Sequence, residues 1–143
     1  RRLKYGYYTD HAHEIEIRPG ALEAWRTFAE HGLRQALVSN SDRIVVNANI
    51  RVLGLEEPGF ISVSINDVVN GKPHPEPYHR GATLLGVEPH QCIAVEDSPT
   101  GARAAHAAGT RVIAWPEDLE LEFPPEIPPI SDIGAEVAHI LKV

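Results

Sequence analysis

The sequence predicts an α/β protein with a three-layer α/β/α core built on a mostly parallel sheet. Two observations support this fold class. Short apolar segments alternate with amphipathic helical segments along nearly the whole chain, and glycine, proline or small polar residues separate them. Such alternation is typical of parallel strands joined by helices that cover both faces of the sheet.

The first half of the chain contains two predicted helices and two predicted strands. The segment IRPGALEAWRTFAEHG carries apolar residues at helical spacing and ends in glycine. The apolar part of LRQALVSNSD predicts a strand. The segment SDRIVVNANIRVLG predicts a helix with Ser41 as its N-cap and Gly54 at its end, and GFISVSIND predicts the second strand.

The second half repeats the alternation. After the loop GKPHPEP, a helix is indicated by Tyr78, Ala82 and Leu85, which lie four and three residues apart before Gly86. The strand CIAVE precedes the helix PTGARAAHAA, which has Ser98 as its predicted N-cap and proline at its first position. RVIAWP is a fourth strand, and DIGAEVAHILKV forms the closing helix after the proline-rich connector FPPEIPPIS.

Composition excludes several classes of partner. The 143 residues fit one domain, 43% of them are hydrophobic, and the net charge is -7. We therefore expect neither nucleic acid nor an anionic membrane as a partner, because both favour clustered Lys and Arg. No apolar run of 18 residues and no signal peptide is found, which predicts a cytoplasmic protein. A phosphorylated substrate would need local neutralisation by a metal or a lysine.

The single cysteine and the eight histidines do not predict a metal or redox site. Cys92 lies in an apolar run without a partner and predicts a buried, inert thiol. His11 and His13 lie two residues apart, and His74 and His79 lie five apart in a loop broken by prolines, so neither pair has metalloprotease spacing. His11, His13 and His74 remain candidates for substrate contact.

Polar side chains follow three of the predicted strands. Ligands of parallel α/β sheets bind at the carboxyl ends of the strands, so these side chains are the functional candidates. Neither a P-loop nor a dinucleotide fingerprint occurs in the chain. The candidates are Ser39 and Asn40 after the first strand, Asp67 and Lys72 after the second, and Glu96, Asp97 and Ser98 after the third.

Three segments in this order, ALVSNSD, NGKPHPEPY and IAVEDSPTGARAAHAAG, resemble the second, third and fourth motifs of the haloacid dehalogenase superfamily. The most similar subgroup comprises sugar-phosphate phosphatases and phosphomutases related to β-phosphoglucomutase. The resemblance covers residues from about Ile17 to Pro116 and implies a Rossmann-like core. Each segment alone is modestly specific, whereas their order on an alternating α/β pattern is strongly so.

The resemblance implies a role for each strand-end residue. Ser39 would hydrogen-bond a phosphoryl oxygen, the Asn40 amide would add to that cradle, and Lys72 would lie between a nucleophilic carboxylate and the phosphate. Glu96 and Asp97 would hold Mg²⁺. This set is chemically sufficient, because phosphoryl transfer needs charge stabilisation around the transferred oxygens and Mg²⁺ prefers carboxylate and water ligands.

The family's first motif, D-x-D at the end of the first strand, is not found in this sequence. Asp10 in YTDHAH has no aspartate two residues later. We therefore expect residues 1–16 to be the tail of a helical cap and linker, and residues 17–143 to be a catalytic core that lacks its first, central strand. A further amino-terminal segment would then be needed to complete the fold and to supply the nucleophile.

These inferences predict a Mg²⁺-dependent phosphatase of small phosphomonoesters that is catalytically incomplete in this chain. The expected partner is a small phosphorylated metabolite, and turnover would pass through an aspartyl phosphate. Two alternatives remain open: a β-phosphoglucomutase-like phosphomutase, and a non-catalytic module that binds phosphate and metal on the same scaffold.

Overall fold

The computed structural model describes residues 18–142. Helices and strands alternate in this part of the chain, as predicted, and two single 3₁₀ turns occur at 65–67 and 89–91. The elements in chain order are α1 (Ala21–Glu30), β1 (Ala36–Val38), α2 (Arg43–Val52), β2 (Ile61–Val63), α3 (Glu76–Leu85), β3 (Ile93–Glu96), α4 (Pro99–Ala108), β4 (Arg111–Ala114) and α5 (Ile133–Leu141).

The four strands form two parallel pairs. In the first pair β1 lies beside β2, with Ala36 opposite Ile61. In the second pair β3 lies beside β4, with Ile93 opposite Arg111. Within residues 18–142 no strand joins the two pairs. The parallel arrangement confirms the predicted fold class.

Helices cover both faces of the strands. On one face α3 packs on β1 and β2, α4 packs on β3 and β4, and the two helices contact each other. The small residues Gly81 and Ala82 of α3 and Ala102 of α4 are buried there, which allows close approach. On the other face α1 packs against α5 over Ile113 of β4, while Val46 of α2 packs on β1.

The helix ends show which sequence signals were correct. Ser98 caps α4 as predicted, since its hydroxyl accepts a hydrogen bond from Gly101 N–H at 3.1 Å. The prediction of Ser41 as the N-cap of α2 is wrong, because the cap position falls on Asp42. The Asn66 side chain accepts from the first helical N–H, that of Arg43, at 2.7 Å. A side chain 23 residues away thus takes the role that a local serine was expected to fill.

Two further predictions concern the burial of Cys92 and the boundary of the core. Cys92 is partly rather than fully buried, and this burial raises the pKa of its thiol. The boundary predicted between a cap tail at 1–16 and a core from 17 onward falls on residues outside the described part of the chain. Across 18–142 no helix combines the length and the apolarity that crossing a bilayer requires.

Candidate active site

Lys72 lies between the carboxyl ends of β1 and β3. Its ammonium group donates to the Val38 carbonyl at 2.9 Å and to Glu96 Oε2 at 2.5 Å. The Lys72 and Glu96 side chains are only 10% and 7% exposed. A buried ion pair must compensate for the hydration that both charges lose, so its further hydrogen bonds matter.

The loop that carries Lys72 is fixed by two side chains, those of Asn40 and Glu76. Asn40 holds the Lys72 backbone from both sides, accepting from its N–H at 2.9 Å and donating to its carbonyl at 3.2 Å. Glu76 accepts from the N–H groups of Val69 and Asn70 at 2.8 and 2.9 Å, and these hydrogen bonds lower the pKa of Glu76. The Lys72 side chain is therefore positioned by hydrogen bonds to the backbone of its loop as well as by its ion pair with Glu96.

Gly71, immediately before the lysine, lies close to the residues beneath it. A Cβ atom there would be 2.5 Å from Ile65 Cδ1 and 2.9 Å from Asn40 Oδ1. A larger residue at position 71 would therefore require the Ile65 and Asn40 side chains to shift, and Asn40 is the residue that holds the Lys72 backbone.

Ser39 directly follows β1 and is 2% exposed. Its backbone N–H donates to the Val63 carbonyl, which continues the pairing with β2, and its hydroxyl oxygen accepts from Ser41 N–H at 3.0 Å. A hydroxyl that accepts in this way can still donate its own hydrogen to another acceptor.

Glu96 ends β3 with its carboxylate enclosed. Oε2 accepts from both the Lys72 ammonium and the Tyr78 hydroxyl. On the other side a Cβ atom at Gly101 would be 1.9 Å from Oε1. The first turn of α4 is therefore shaped around this carboxylate, and its position is defined from both sides.

Asp97 follows Glu96 and is partly buried. Arg18 is close enough to interact with it electrostatically, and stacks 3.6 Å from the centroid of the Trp115 ring while donating to the Pro116 carbonyl at 2.8 Å. Burial lowers the pKa of Arg18, and the charges of Glu117 and Asp97 act in the opposite direction. The end of β3 thus presents two adjacent carboxylates, each beside a cation.

Residues 3–109 match the family described as hydrolase, haloacid dehalogenase-like hydrolase. This chain belongs to that family. Hexitol phosphatase A of Escherichia coli (strain K12) is 33% identical over 128 residues, which are 90% of this chain and 56% of that protein. The haloacid dehalogenase-like resemblance inferred from three motifs is thereby confirmed.

Solved structures of haloacid dehalogenase-like proteins share the fold. CbbY from Rhodobacter sphaeroides in complex with phosphate superposes with a TM-score of 0.74 at 28% identity, covering 82% of this chain and 55% of that one. A mutant of the same protein, solved with Xylulose-(1,5)bisphosphate, gives a TM-score of 0.71 at 28% identity, with coverages of 83% and 55%. The chain spans little more than half the length of these relatives.

The structure brings the predicted site residues of this haloacid dehalogenase-like chain together. Ser39, Asn40, Lys72, Glu96 and Asp97 all lie at the carboxyl ends of β1 and β3 or on the loop that reaches them. Their roles toward phosphate and metal stay predictions. Across 18–142 no group of three or more His, Cys, Asp or Glu side chains is placed to hold a metal ion.

Other candidates lie elsewhere or outside the described residues. Asp67 turns away to bind Arg43 and the Ser64 N–H. His74 accepts from Glu76 N–H at 3.1 Å. The candidate contacts His11 and His13, together with Asp10, fall outside the part of the chain that the structure describes.

Sequence reasoning missed Tyr78, Arg18 and Gly101. Tyr78 could have been recognised as a site residue, because it lies in the first turn of α3, six residues after Lys72. Its helical spacing was interpreted only as evidence of packing. Arg18 had none, since its partners lie 97 and 98 residues away. Gly101 appeared only as one small residue among the alanines of α4.

Proposed function

We propose that this chain is the core part of a Mg²⁺-dependent phosphatase that acts on small phosphomonoesters of the sugar-phosphate type. The observation that carries the proposal is the buried Lys72 ammonium, held between the Val38 carbonyl and Glu96 at the edge where β1 and β3 end. A fixed cation at this edge is suited to a phosphoryl group, which carries charge on three oxygens.

Each chain residue has a defined task in this proposal. Lys72 would pair with one phosphoryl oxygen through the ammonium hydrogen that neither Val38 nor Glu96 uses. The Ser39 hydroxyl would donate to a second oxygen, and the Asn40 amide would support both by fixing the loop that carries the lysine. These groups are held before substrate binds, so little reorganisation is needed.

Glu96 and Asp97 fit a magnesium site by their chemistry, because adjacent carboxylates supply the hard oxygen ligands that Mg²⁺ prefers. Asp97 would be the principal ligand, since Glu96 Oε2 already accepts from Lys72 and Tyr78. The bound ion would neutralise charge on the phosphoryl group and help to orient it. Two carboxylates do not complete its coordination, so substrate, water and a further protein ligand would supply the rest.

The nucleophile of the proposed reaction lies outside the described residues. An aspartate carboxylate would attack the phosphorus atom while a general acid gives a proton to the departing ester oxygen, and water would then hydrolyse the aspartyl phosphate. The names of the relatives support the substrate class: one is a hexitol phosphatase, and another was solved with a sugar bisphosphate.

The test uses the complete natural protein, including any residues before Arg1, with an aryl phosphate and a panel of sugar phosphates. Hydrolysis should require Mg²⁺ and should fall at least a hundredfold in Asp97→Asn, while the exposed control Glu122→Gln keeps its rate. The proposal would be refuted if the complete protein released phosphate from none of these esters in the presence of Mg²⁺.

The same assay separates the two alternatives. A phosphomutase would convert one sugar phosphate into an isomer with little net release of phosphate. A non-catalytic module would bind inorganic phosphate in the presence of Mg²⁺, as measured by calorimetry, without turning over any ester.

A further inference from the structure

Tyr78 is neither of the two residues that contact the phosphate in the proposed function, Lys72 and Ser39, yet its hydroxyl donates to Glu96 Oε2, the oxygen that also holds Lys72. We propose that Tyr78 is a positioning residue that acts through Glu96, setting how strongly and from which direction Glu96 holds the Lys72 ammonium. This inference rests on the proposed function, because the lysine is the group whose position it controls.

The Glu96 carboxylate is enclosed by three residues, and Tyr78 is one of them. Gly101 bounds the carboxylate on its Oε1 side, where a Cβ atom would be 1.9 Å away. Lys72 and Tyr78 donate from the Oε2 side. Without the hydroxyl, the carboxylate would keep only the lysine as a directional partner and could rotate about its last bond.

The position of the tyrosine ring supports the same role. The Lys72 ammonium lies 5.2 Å from the centroid of the Tyr78 ring, within the range of a cation–π contact. The residue therefore touches both members of the ion pair, its ring facing the cation and its hydroxyl facing the anion. A residue that only filled space beside α4 would not need a hydroxyl at this point.

Charge balance gives the hydroxyl a consequence for the reaction. Two donors to one carboxylate oxygen share its negative charge, so each is held less strongly than it would be alone. The hydroxyl thus limits how far Glu96 neutralises Lys72 and leaves the lysine free to pair with a phosphoryl oxygen. Removing it should draw the ammonium toward Glu96 and weaken its contact with the phosphate.

The experiment is a double-mutant cycle of Tyr78→Phe and Glu96→Gln in the complete protein. Tyr78→Phe keeps the ring and should lower kcat for an aryl phosphate about tenfold, and weaken inorganic phosphate binding in Mg²⁺ by a similar factor. In the Glu96→Gln background the same change should have little further effect on either quantity, because the tyrosine acts through that carboxylate.

The matched control is Thr110→Val, which removes a buried hydroxyl that donates to the Ala105 carbonyl at the far end of α4. It should change neither kcat nor phosphate affinity. Full activity of Tyr78→Phe, or an equal loss in both backgrounds, would overturn the inference while leaving the proposed function intact. An inactive wild-type protein would refute the proposed function, and the cycle would then be decided by phosphate affinity alone.

Discussion

At the scale of single residues, the position of the Glu96 side chain at the end of β3 depends on the absence of a side chain at position 101. Glu96 is 7% exposed, and the space for its carboxylate exists because position 101 has no side chain. A glycine in a helix normally costs stability relative to alanine. Position 101 is nevertheless glycine, because the first turn of α4 packs directly against the Glu96 carboxylate.

Gly101→Ala tests this contact. The added Cβ atom would lie 1.9 Å from Glu96 Oε1, so the carboxylate must shift, which should weaken its hydrogen bonds to Lys72 and Tyr78. We expect the free energy of unfolding to fall by about 2 kcal/mol, as measured by urea denaturation. The control Gly134→Ala in α5, whose nearest neighbour would be 3.4 Å away, should instead raise it by about 0.5 kcal/mol. Equal effects at the two positions would contradict the account.

At the scale of elements, the 3₁₀ turn after β2 is tied to the start of α2. Asp67 accepts from the Ser64 N–H and hydroxyl at 2.7 and 2.9 Å and pairs with Arg43. Partial burial acts to raise the pKa of Asp67, but the hydrogen bonds and the arginine outweigh it and hold the pKa below its ordinary value of 3.8. This contact joins two elements that flank the site.

The lowered pKa predicts how stability depends on pH. A carboxylate with a depressed folded-state pKa contributes its full stabilisation above the ordinary value, and loses it as pH falls through the folded value. Asp67→Asn should therefore cost about 1 kcal/mol near neutral pH, allowing for solvent screening of this half-exposed group. The unfolding free energies of the two proteins should converge as the pH falls below the ordinary value of 3.8 and through the lower folded-state pKa of Asp67. A constant difference across the pH range would contradict this.

The buried face of α2 carries a second testable feature, Asn49. It is 0% exposed, and in the described part of the chain neither its Nδ2 nor its Oδ1 has a hydrogen-bond partner. Because an unpaired buried amide is costly, Asn49→Leu should raise the unfolding free energy by about 1 kcal/mol. The exposed Asn47→Leu should change it little. A loss of stability in Asn49→Leu would contradict this prediction.

Elements were predicted well where their signals are local. The alternation of strands and helices followed from hydrophobic periodicity, and the Ser98 cap followed from a serine before a proline. The Ser41 cap was wrong because Asn66, from another loop, accepts from the first helical N–H. A contact between residues 23 apart has no local signature, so sequence pattern alone could not reveal it.

At the scale of the whole molecule, the parallel topology explains why the candidate residues lie close together. Parallel strands place their carboxyl ends on one edge, so Ser39, Lys72 and Glu96 could be expected to meet although they are far apart in sequence. The topology does not determine which side chains form hydrogen bonds or ring contacts with each other. The shared Glu96 oxygen, the Asn40 grip on the Lys72 backbone and the Arg18 contact with Trp115 depend on side-chain packing and appear only in three dimensions.

In the proposed function, the three motifs form one phosphoryl-transfer site around Lys72. The most direct measurement compares Mg²⁺-dependent phosphate release by the complete protein with that of Lys72→Ala. The matched control is Lys142→Asn, which removes an exposed lysine at the end of α5 and suits its left-handed backbone, φ 59°. We predict a loss of at least a hundredfold in kcat/KM for Lys72→Ala and an unchanged rate for the control. Equal activity of the wild-type protein and Lys72→Ala would contradict the account.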